Sequence, residues 1–118
     1  MYILETGAFG KGLVLDGKWQ FCTVDEFIYQ EALVYPALIA HQQPKKVLVL
    51  EGGEGATIRE VLRWKSIEAV TTIDIDGEVV EACKQHLPEM HQEAFADLEK
   101  PQKFFRTGVN KKPIAQYE

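Results

Sequence analysis

The sequence predicts an α/β protein in which a small antiparallel β unit precedes a parallel βαβ arrangement. Three observations predict it. The pair Asp16-Gly17 stands between short apolar segments. The apolar run Val47-Leu48-Val49-Leu50 stops at Glu51-Gly52-Gly53-Glu54-Gly55 and gives way to a helical pattern. A second strand-like run, Thr71-Thr72-Ile73-Asp74, ends in an acid 19 positions after Gly55. Asp-Gly between apolar runs is a strong short-range hairpin signal. A strand, a glycine turn, a helix and a second strand closed by an acid is the layout of a nucleoside-binding βαβ unit.

Residues 1–24 form the expected N-terminal β subdomain. Tyr2-Ile3-Leu4-Glu5, Gly12-Leu13-Val14-Leu15 and Trp19-Gln20-Phe21-Cys22-Thr23-Val24 read as two or three strands, punctuated by Gly7, Gly10 and Asp16-Gly17. A unit of that size is marginal alone and is expected to pack on the helical segments C-terminal to it. Residues 25–46 are a helix and connector. Asp25 is placed to cap a helix over residues 26–33, Pro36 is expected to kink or end it, and Gln42-Gln43-Pro44-Lys45-Lys46 is a polar link.

Residues 47–98 are the partial nucleoside-binding domain. The run 47–50 suits a strand covered on both faces. Residues 56–64 follow as a helix, with Ile58, Val61, Leu62 and Lys65 on one side and Arg59, Glu60 and Arg63 on the other. Residues 67–75 supply the next strand. Asp76 can cap a helix carrying Val79, Val80, Cys83 and Leu87, which Pro88 stops, and residues 91–98 suit one more short helix. The order predicts parallel pairing with a right-handed crossover. Residues 99–118 show scattered apolar positions without alternation and are expected to be an irregular, loosely held tail.

With 118 residues, 46% apolar and 26% charged, the chain suits one small globular domain. The net charge of −5 disfavours nucleic acid as a partner. Apolar runs fall far short of the roughly 20 residues that span a bilayer, so no membrane partner and a cytoplasmic location are expected. Cys22 and Cys83 form no C-x-x-C pair and read as buried fillers, and His41, His86 and His91 have no metal-like spacing with them; no metal is expected.

A glycine turn lets a ligand approach the backbone, and the helix after it offers free N–H groups. Gly52, Gly53, Glu54, Gly55 and Asp74 are therefore the candidate nucleoside-binding residues, with Asp74 placed to accept both hydroxyls of a ribose. The third glycine of the usual pattern is replaced by Ile58, and Asp76 reads as a plain helix cap. Glu54 discriminates among nucleosides. Its carboxylate would repel a pyrophosphate and attract a sulfonium or ammonium, a unit-charge pair worth about 4 kcal/mol at about 4 Å before desolvation. NAD is thus disfavoured. A phosphate loop is excluded because Gly55-Ala56-Thr57 lacks the lysine. The expected ligand is a cationic adenosyl sulfonium.

The series Leu15-Asp16-Gly17 with Gln20, Asp25-Glu26-Phe27-Ile28-Tyr29-Gln30-Glu31, Pro44-Lys45-Lys46 leading into the strand, Gly52-Gly53-Glu54-Gly55 and Arg59-Glu60-Val61-Leu62 resembles the polyamine aminopropyltransferases, the spermidine and spermine or thermospermine synthases. The resemblance runs from about residue 3 to residue 87. It implies an N-terminal β subdomain and the first half of a Rossmann-like, class I methyltransferase-type domain. It further implies transfer of an aminopropyl group from decarboxylated S-adenosylmethionine, a co-substrate, to putrescine or a related polyamine, with no other cofactor. On the family pattern Tyr29 would line the polyamine channel, Gln30 would contact the nucleoside ligand, Glu54 would bind the aminopropyl ammonium and Asp74 the ribose. Read from the residues alone, Tyr29 is equally an aromatic packed in the core, and Gln30 is an ordinary polar side chain facing solvent.

Two departures accompany the resemblance. Glu51 stands where relatives usually carry glycine, which stiffens the turn and adds a negative charge. The Asp-x-x-Asp stretch that supplies the family's catalytic base does not occur in the chain. No catalytic residue is therefore assigned, and the expectation is a truncated, catalytically incomplete member. Two alternatives stay open: part of an S-adenosylmethionine-dependent methyltransferase, separable by ligand preference, and a non-catalytic partner of a full-length relative or homo-oligomer, separable by its state of association.

Overall fold

The computed structural model describes residues 1–98 and 107–109. Strands β1 (Tyr2–Thr6), β2 (Gly10–Leu15) and β3 (Lys18–Cys22) form an antiparallel sheet in chain order. Leu15 pairs with Lys18, so only Asp16 and Gly17 turn the chain, at φ 49° and 74°. Two successive left-handed residues are what a two-residue hairpin turn with the strands' own twist requires, and Asp-Gly tolerates them.

Helix α1 spans Glu26–His41 and carries Pro36 inside it. The expected stop near Pro36 does not occur. Proline removes one N–H donor, whereas the buried stripe Glu26, Gln30, Val34 and Leu38 continues past it at four-residue spacing and holds the last turns against the core. Asp25 occupies the N-cap position without capping; its Oδ1 instead accepts from the Cys22 thiol at 2.8 Å.

The second sheet is parallel, in the order β4 (Lys46–Leu50), β5 (Ala69–Asp74), β6 (Thr107–Val109). Helix α2 (Ala56–Leu62) connects β4 to β5, and α3 (Gly77–His86) follows. Asp76 caps α3 as expected, its Oδ1 accepting from the N–H groups of Glu78 at 2.9 Å and Val79 at 3.3 Å. The single helix expected over residues 91–98 is two: α4 (Pro88–His91) and α5 (Ala94–Leu98), separated by Gln92 and Glu93 at φ 44° and 66°. Strand β6 falls within the segment expected to be an irregular tail. It pairs in parallel with β5, setting Thr72, Ile73 and Asp74 opposite Thr107, Gly108 and Val109. The rest of the 99–118 expectation lies outside the described residues.

Val49, Ile58, Val61, Val70 and Val80 form the centre of the larger core, joined by Val34 and Leu38 of α1 and by Phe95 of α5. The expectation that β4 is covered on both faces is corrected: Leu48 and Leu50, on the face opposite this core, are 57% and 69% exposed. A second cluster joins Leu13 of β2 to Ala56, Cys83, Leu87 and Met90, which seats the N-terminal sheet on α2, α3 and α4. Lys11 braces that contact by donating to Glu89 at 2.7 Å and to the His86 carbonyl at 3.3 Å. Both cysteines are buried and unpaired. Among the described residues no helix is long and apolar enough to cross a membrane.

Candidate functional site

The glycine turn is shaped by steric exclusion. A Cβ on Gly52 would lie 2.7 Å from Val49 Cγ1, and one on Gly53 would lie 2.6 Å from Asp74 Oδ2. Gly55 sits at φ 79°, where a Cβ would also strike His91 Cβ at 2.5 Å. A side chain at any of the three would have to displace a neighbour, and at Gly55 it would also meet a left-handed backbone; the turn closes with Gly55 N–H donating to the Gly52 carbonyl at 3.0 Å. The same tightness brings Asp74, at the end of β5, directly against the turn after β4. Asp74 is 8% exposed, and its Oδ1 accepts from the Asp76 N–H at 2.9 Å.

Glu51 enters the turn at φ 59°, a left-handed conformation for a residue with a Cβ. That conformation costs about 1–2 kcal/mol for an L side chain. Glu51→Gly is expected to raise stability by about 0.5–1 kcal/mol after the added freedom of the unfolded chain is discounted. Urea denaturation checks it, and a midpoint that stays put or falls would contradict the strain.

Glu54 is half-buried at the crest of the turn. Its Oε1 accepts from Gln30 Nε2 at 3.2 Å and lies 3.4 Å from the Thr57 hydroxyl, which itself donates to Gln30 Oε1 at 2.6 Å. Burial raises the Glu54 pKa above the ordinary glutamate value; hydrogen bonds oppose that shift and the neighbouring charge of Asp74 adds to it. Cys83 lies within the same field. Burial first, then the charges of Glu54 and Asp74, push its thiol up to about 12, so it stays protonated and unreactive.

Tyr29, Gln30, Gly53, Glu54 and Asp74 line one cavity of about 1000 Å³ between the N-terminal sheet, the start of α1 and the ends of β4 and β5. Gly52 and Gly55 do not line it; they shape the turn behind its wall. Among the described residues, every charged side chain on that wall is a carboxylate: Asp16, Asp25, Glu26, Glu51, Glu54, Asp74, Asp76 and Glu78. Leu13, Leu15, Phe21, Ile75 and Val79 supply apolar surface alongside them. Gln30 is 3% exposed and bonded at both ends of its amide, so the surface reading of it is set aside. Tyr29 is 66% exposed, which sets aside its core reading. It stands with Glu51 and Glu54 where the cavity meets an apolar groove of about 400 Å³ between α1 and β4.

One part of the arrangement escaped the sequence. Arg59 and Glu60, expected on the outer side of α2, are 7% and 1% exposed. The Arg59 guanidinium grips Glu26 with both Nη atoms at 2.9 and 3.0 Å, donates from Nε to Glu60 at 2.9 Å and reaches the Met90 carbonyl at 2.7 Å. Burial disfavours its charge, but the bonds to Glu26 and Glu60 outweigh that and its pKa is raised. The other Glu60 oxygen accepts from Tyr35 at 2.7 Å and Arg63 at 3.1 Å. Glu26 and Gln30 lie one turn apart on α1. The Arg59 clamp therefore fixes the helix that presents Gln30 to Glu54. Its sequence signals were the placement of Glu26 four residues before Gln30 and the presence of Glu26 and Arg59-Glu60 among the motifs that carry the family resemblance; both gain meaning once α1 is known to bury that stripe.

The chain is similar in sequence and fold to proteins of known family. A family profile described as the spermine/spermidine synthase domain matches residues 26–116. The chain is 65% identical over 101 residues to a polyamine aminopropyltransferase of Synechococcus sp. (strain JA-3-3Ab), covering 82% of this chain and 32% of that protein. It is 60% identical over 94 residues to polyamine aminopropyltransferase 2 of Hyperthermus butylicus, covering 80% and 31%. The chain spans about a third of the length of these curated relatives. Spermidine synthase from Thermotoga maritima superposes with a TM-score of 0.80 at 33% identity, over 90% of this chain and 36% of that one. A spermidine synthase in complex with the transition-state analogue AdoDATO gives the same TM-score and identity, over 90% and 35%.

Proposed function

The chain belongs to the spermine/spermidine synthase family, and from that premise we propose that its cavity binds the aminopropyl donor, decarboxylated S-adenosylmethionine, for transfer to putrescine or a related polyamine. The observation that carries this reading is the wall itself: a cavity with apolar patches for an adenosyl group in which every charged side chain among the described residues is anionic. A dication with sulfonium and ammonium centres complements it; a phosphate or a free carboxylate does not.

In this reading Asp74 holds the ribose and Gly53 lets it approach. Glu54 receives the aminopropyl ammonium, with Gln30 beside it. Tyr29 stands where the acceptor amine enters. The amine nitrogen donates its lone pair to the methylene carbon beside the sulfonium. The C–S bond breaks with its electrons passing to sulfur, methylthioadenosine leaves as a neutral thioether, and the new ammonium gives up one proton to solvent water, because the Asp-x-x-Asp that supplies the family's base does not occur in this chain. Alignment and electrostatics supply this chemistry from protein side chains. A cytoplasmic location belongs to the same reading.

Isothermal titration of the chain with decarboxylated S-adenosylmethionine and with S-adenosylmethionine tests it. The decarboxylated form is expected to bind at least about tenfold more tightly, because Glu54 opposes a carboxylate on the same arm. Acidification should weaken binding from a pH above the ordinary glutamate range downward, since the raised Glu54 pKa means that its charge is lost early. Equal affinity for the two forms, or preference for S-adenosylmethionine, would sink the proposal and favour a methyltransferase.

A further inference from the structure

Three polar side chains meet at the junction of α1, α2 and the glycine turn, and only two of them, Gln30 and Glu54, have a part in the proposed binding of the sulfonium nucleoside. The third is Thr57, 9% exposed on the first turn of α2. Its hydroxyl carries one proton and has two acceptors within reach: Gln30 Oε1 at 2.6 Å and Glu54 Oε1 at 3.4 Å. The shorter contact is a full hydrogen bond and the longer lies at the limit of one. The proton therefore goes to Gln30.

That choice decides which way the Gln30 amide faces. With Oε1 held by Thr57, Nε2 is directed at Glu54, 3.2 Å away. The reverse orientation would set a carbonyl oxygen against a carboxylate oxygen, two acceptors with no proton between them. Gln30 is buried, so water cannot readily replace the threonine as donor. Among the described residues, the titratable side chains coupled to the charge of Glu54 are Asp74 on β5 and Cys83 on α3, with Tyr29, Glu51, Asp16, Asp25, Glu26, Asp76 and Glu78 on the same cavity wall. None of them is cationic. The Gln30 amide, oriented by Thr57, is the neutral device that offsets the crowding of negative charge.

We propose that Thr57 is a positioning residue for this site: by donating to Gln30 it locks the amide with Nε2 toward Glu54, and so keeps a charged carboxylate presented to a cationic group in the cavity. The inference rests on the reading of Glu54 as the anionic anchor, yet it is tested without any ligand. The Glu54 side-chain carboxyl carbon is followed by NMR across pH in the unliganded chain, in the wild type and in Thr57→Val and Thr57→Ser variants.

Valine preserves the shape but leaves Gln30 Oε1 without a donor and the amide free to turn. The Glu54 midpoint is expected to rise by about one pH unit, a tenfold gain in proton affinity, and serine should return it to the wild-type value. A midpoint unchanged in the valine variant overturns the proposal. The wild type supplies a second measurement that needs no variant to fold. Nuclear Overhauser contacts should link the Gln30 amide protons to the Glu54 γ protons; contacts to the Thr57 methyl in their place would also overturn it. If the expected midpoints are found but the wild type fails to bind the decarboxylated sulfonium, the functional reading falls while Thr57 keeps its assigned role. Binding with an unmoved midpoint strikes Thr57 alone.

Discussion

Glu54→Gln is expected to weaken binding of decarboxylated S-adenosylmethionine by about 30- to 100-fold, the ~2–3 kcal/mol of a charge-assisted hydrogen bond to an ammonium. Glutamine keeps the size and one acceptor, so the lost quantity is charge. The same substitution should stabilise the unliganded protein at neutral pH. Burial raises the Glu54 pKa in the folded state above its unfolded value, so between those two values the folded chain binds more protons than the unfolded one. Stability attributable to this residue is then greatest at low pH and declines as pH rises through the window, leaving an ionised Glu54 as a net burden at neutrality. Neutral glutamine removes that burden. Opposite signs for affinity and stability are the signature of a group held for binding rather than for folding. Calorimetric titration gives the first quantity and urea denaturation at pH 7 and pH 5 the second. Wild-type affinity in the variant would refute the anchor role, and lower stability at pH 7 would refute the destabilisation by burial.

The parts of this molecule that were legible in the sequence are those set by local chemistry. Asp16-Gly17 announced a two-residue hairpin because few other pairs tolerate two left-handed conformations in succession. Gly53 and Asp74 were readable as neighbours because the strand, turn and helix layout brings the end of one parallel strand beside the next. Asp76 capped its helix as its position required. The misjudged elements depend on partners distant in the chain. Pro36 looked like a stop because a single window does not show how strongly the stripe through Val34 and Leu38 is held. The inner face of α2 was misjudged because Arg59 and Glu60 are polar by type, and their burial is made tolerable by distant partners, Glu26 for Arg59 and Tyr35 for Glu60. Two-sided cover of β4 was inferred from an apolar run, a pattern that records what a strand can tolerate rather than what lies against it. Thr57 was invisible because its importance lies in which of two acceptors it chooses.

Arg59→Met carries the largest expected loss of stability, about 3–5 kcal/mol. Methionine fills much of the same volume but leaves Glu26, 8% exposed, without the guanidinium that meets both its oxygens, and deprives Glu60 and the Met90 carbonyl of a donor each. Glu60 retains Tyr35 and Arg63, so the penalty falls chiefly on Glu26. For a domain of ordinary stability, about 5–15 kcal/mol, that is a large share of the total. Adding Glu26→Met to Arg59→Met should recover most of the loss, because two apolar side chains of suitable volume often replace a buried ion pair without penalty. The double-mutant cycle, read by urea denaturation, separates a charge effect from a packing effect. A loss below about 1 kcal/mol for Arg59→Met would mean that the pair is solvated like a surface salt bridge. Ligand affinity offers an independent reading. Glu26 and Gln30 share one face of α1, so a helix released at Glu26 presents the Gln30 amide less accurately to Glu54. The double variant, stable but without the guanidinium grip, is then expected to bind the cationic nucleoside more weakly than the wild type. A double variant with both stability and affinity intact would show that α1 is positioned by its apolar stripe alone.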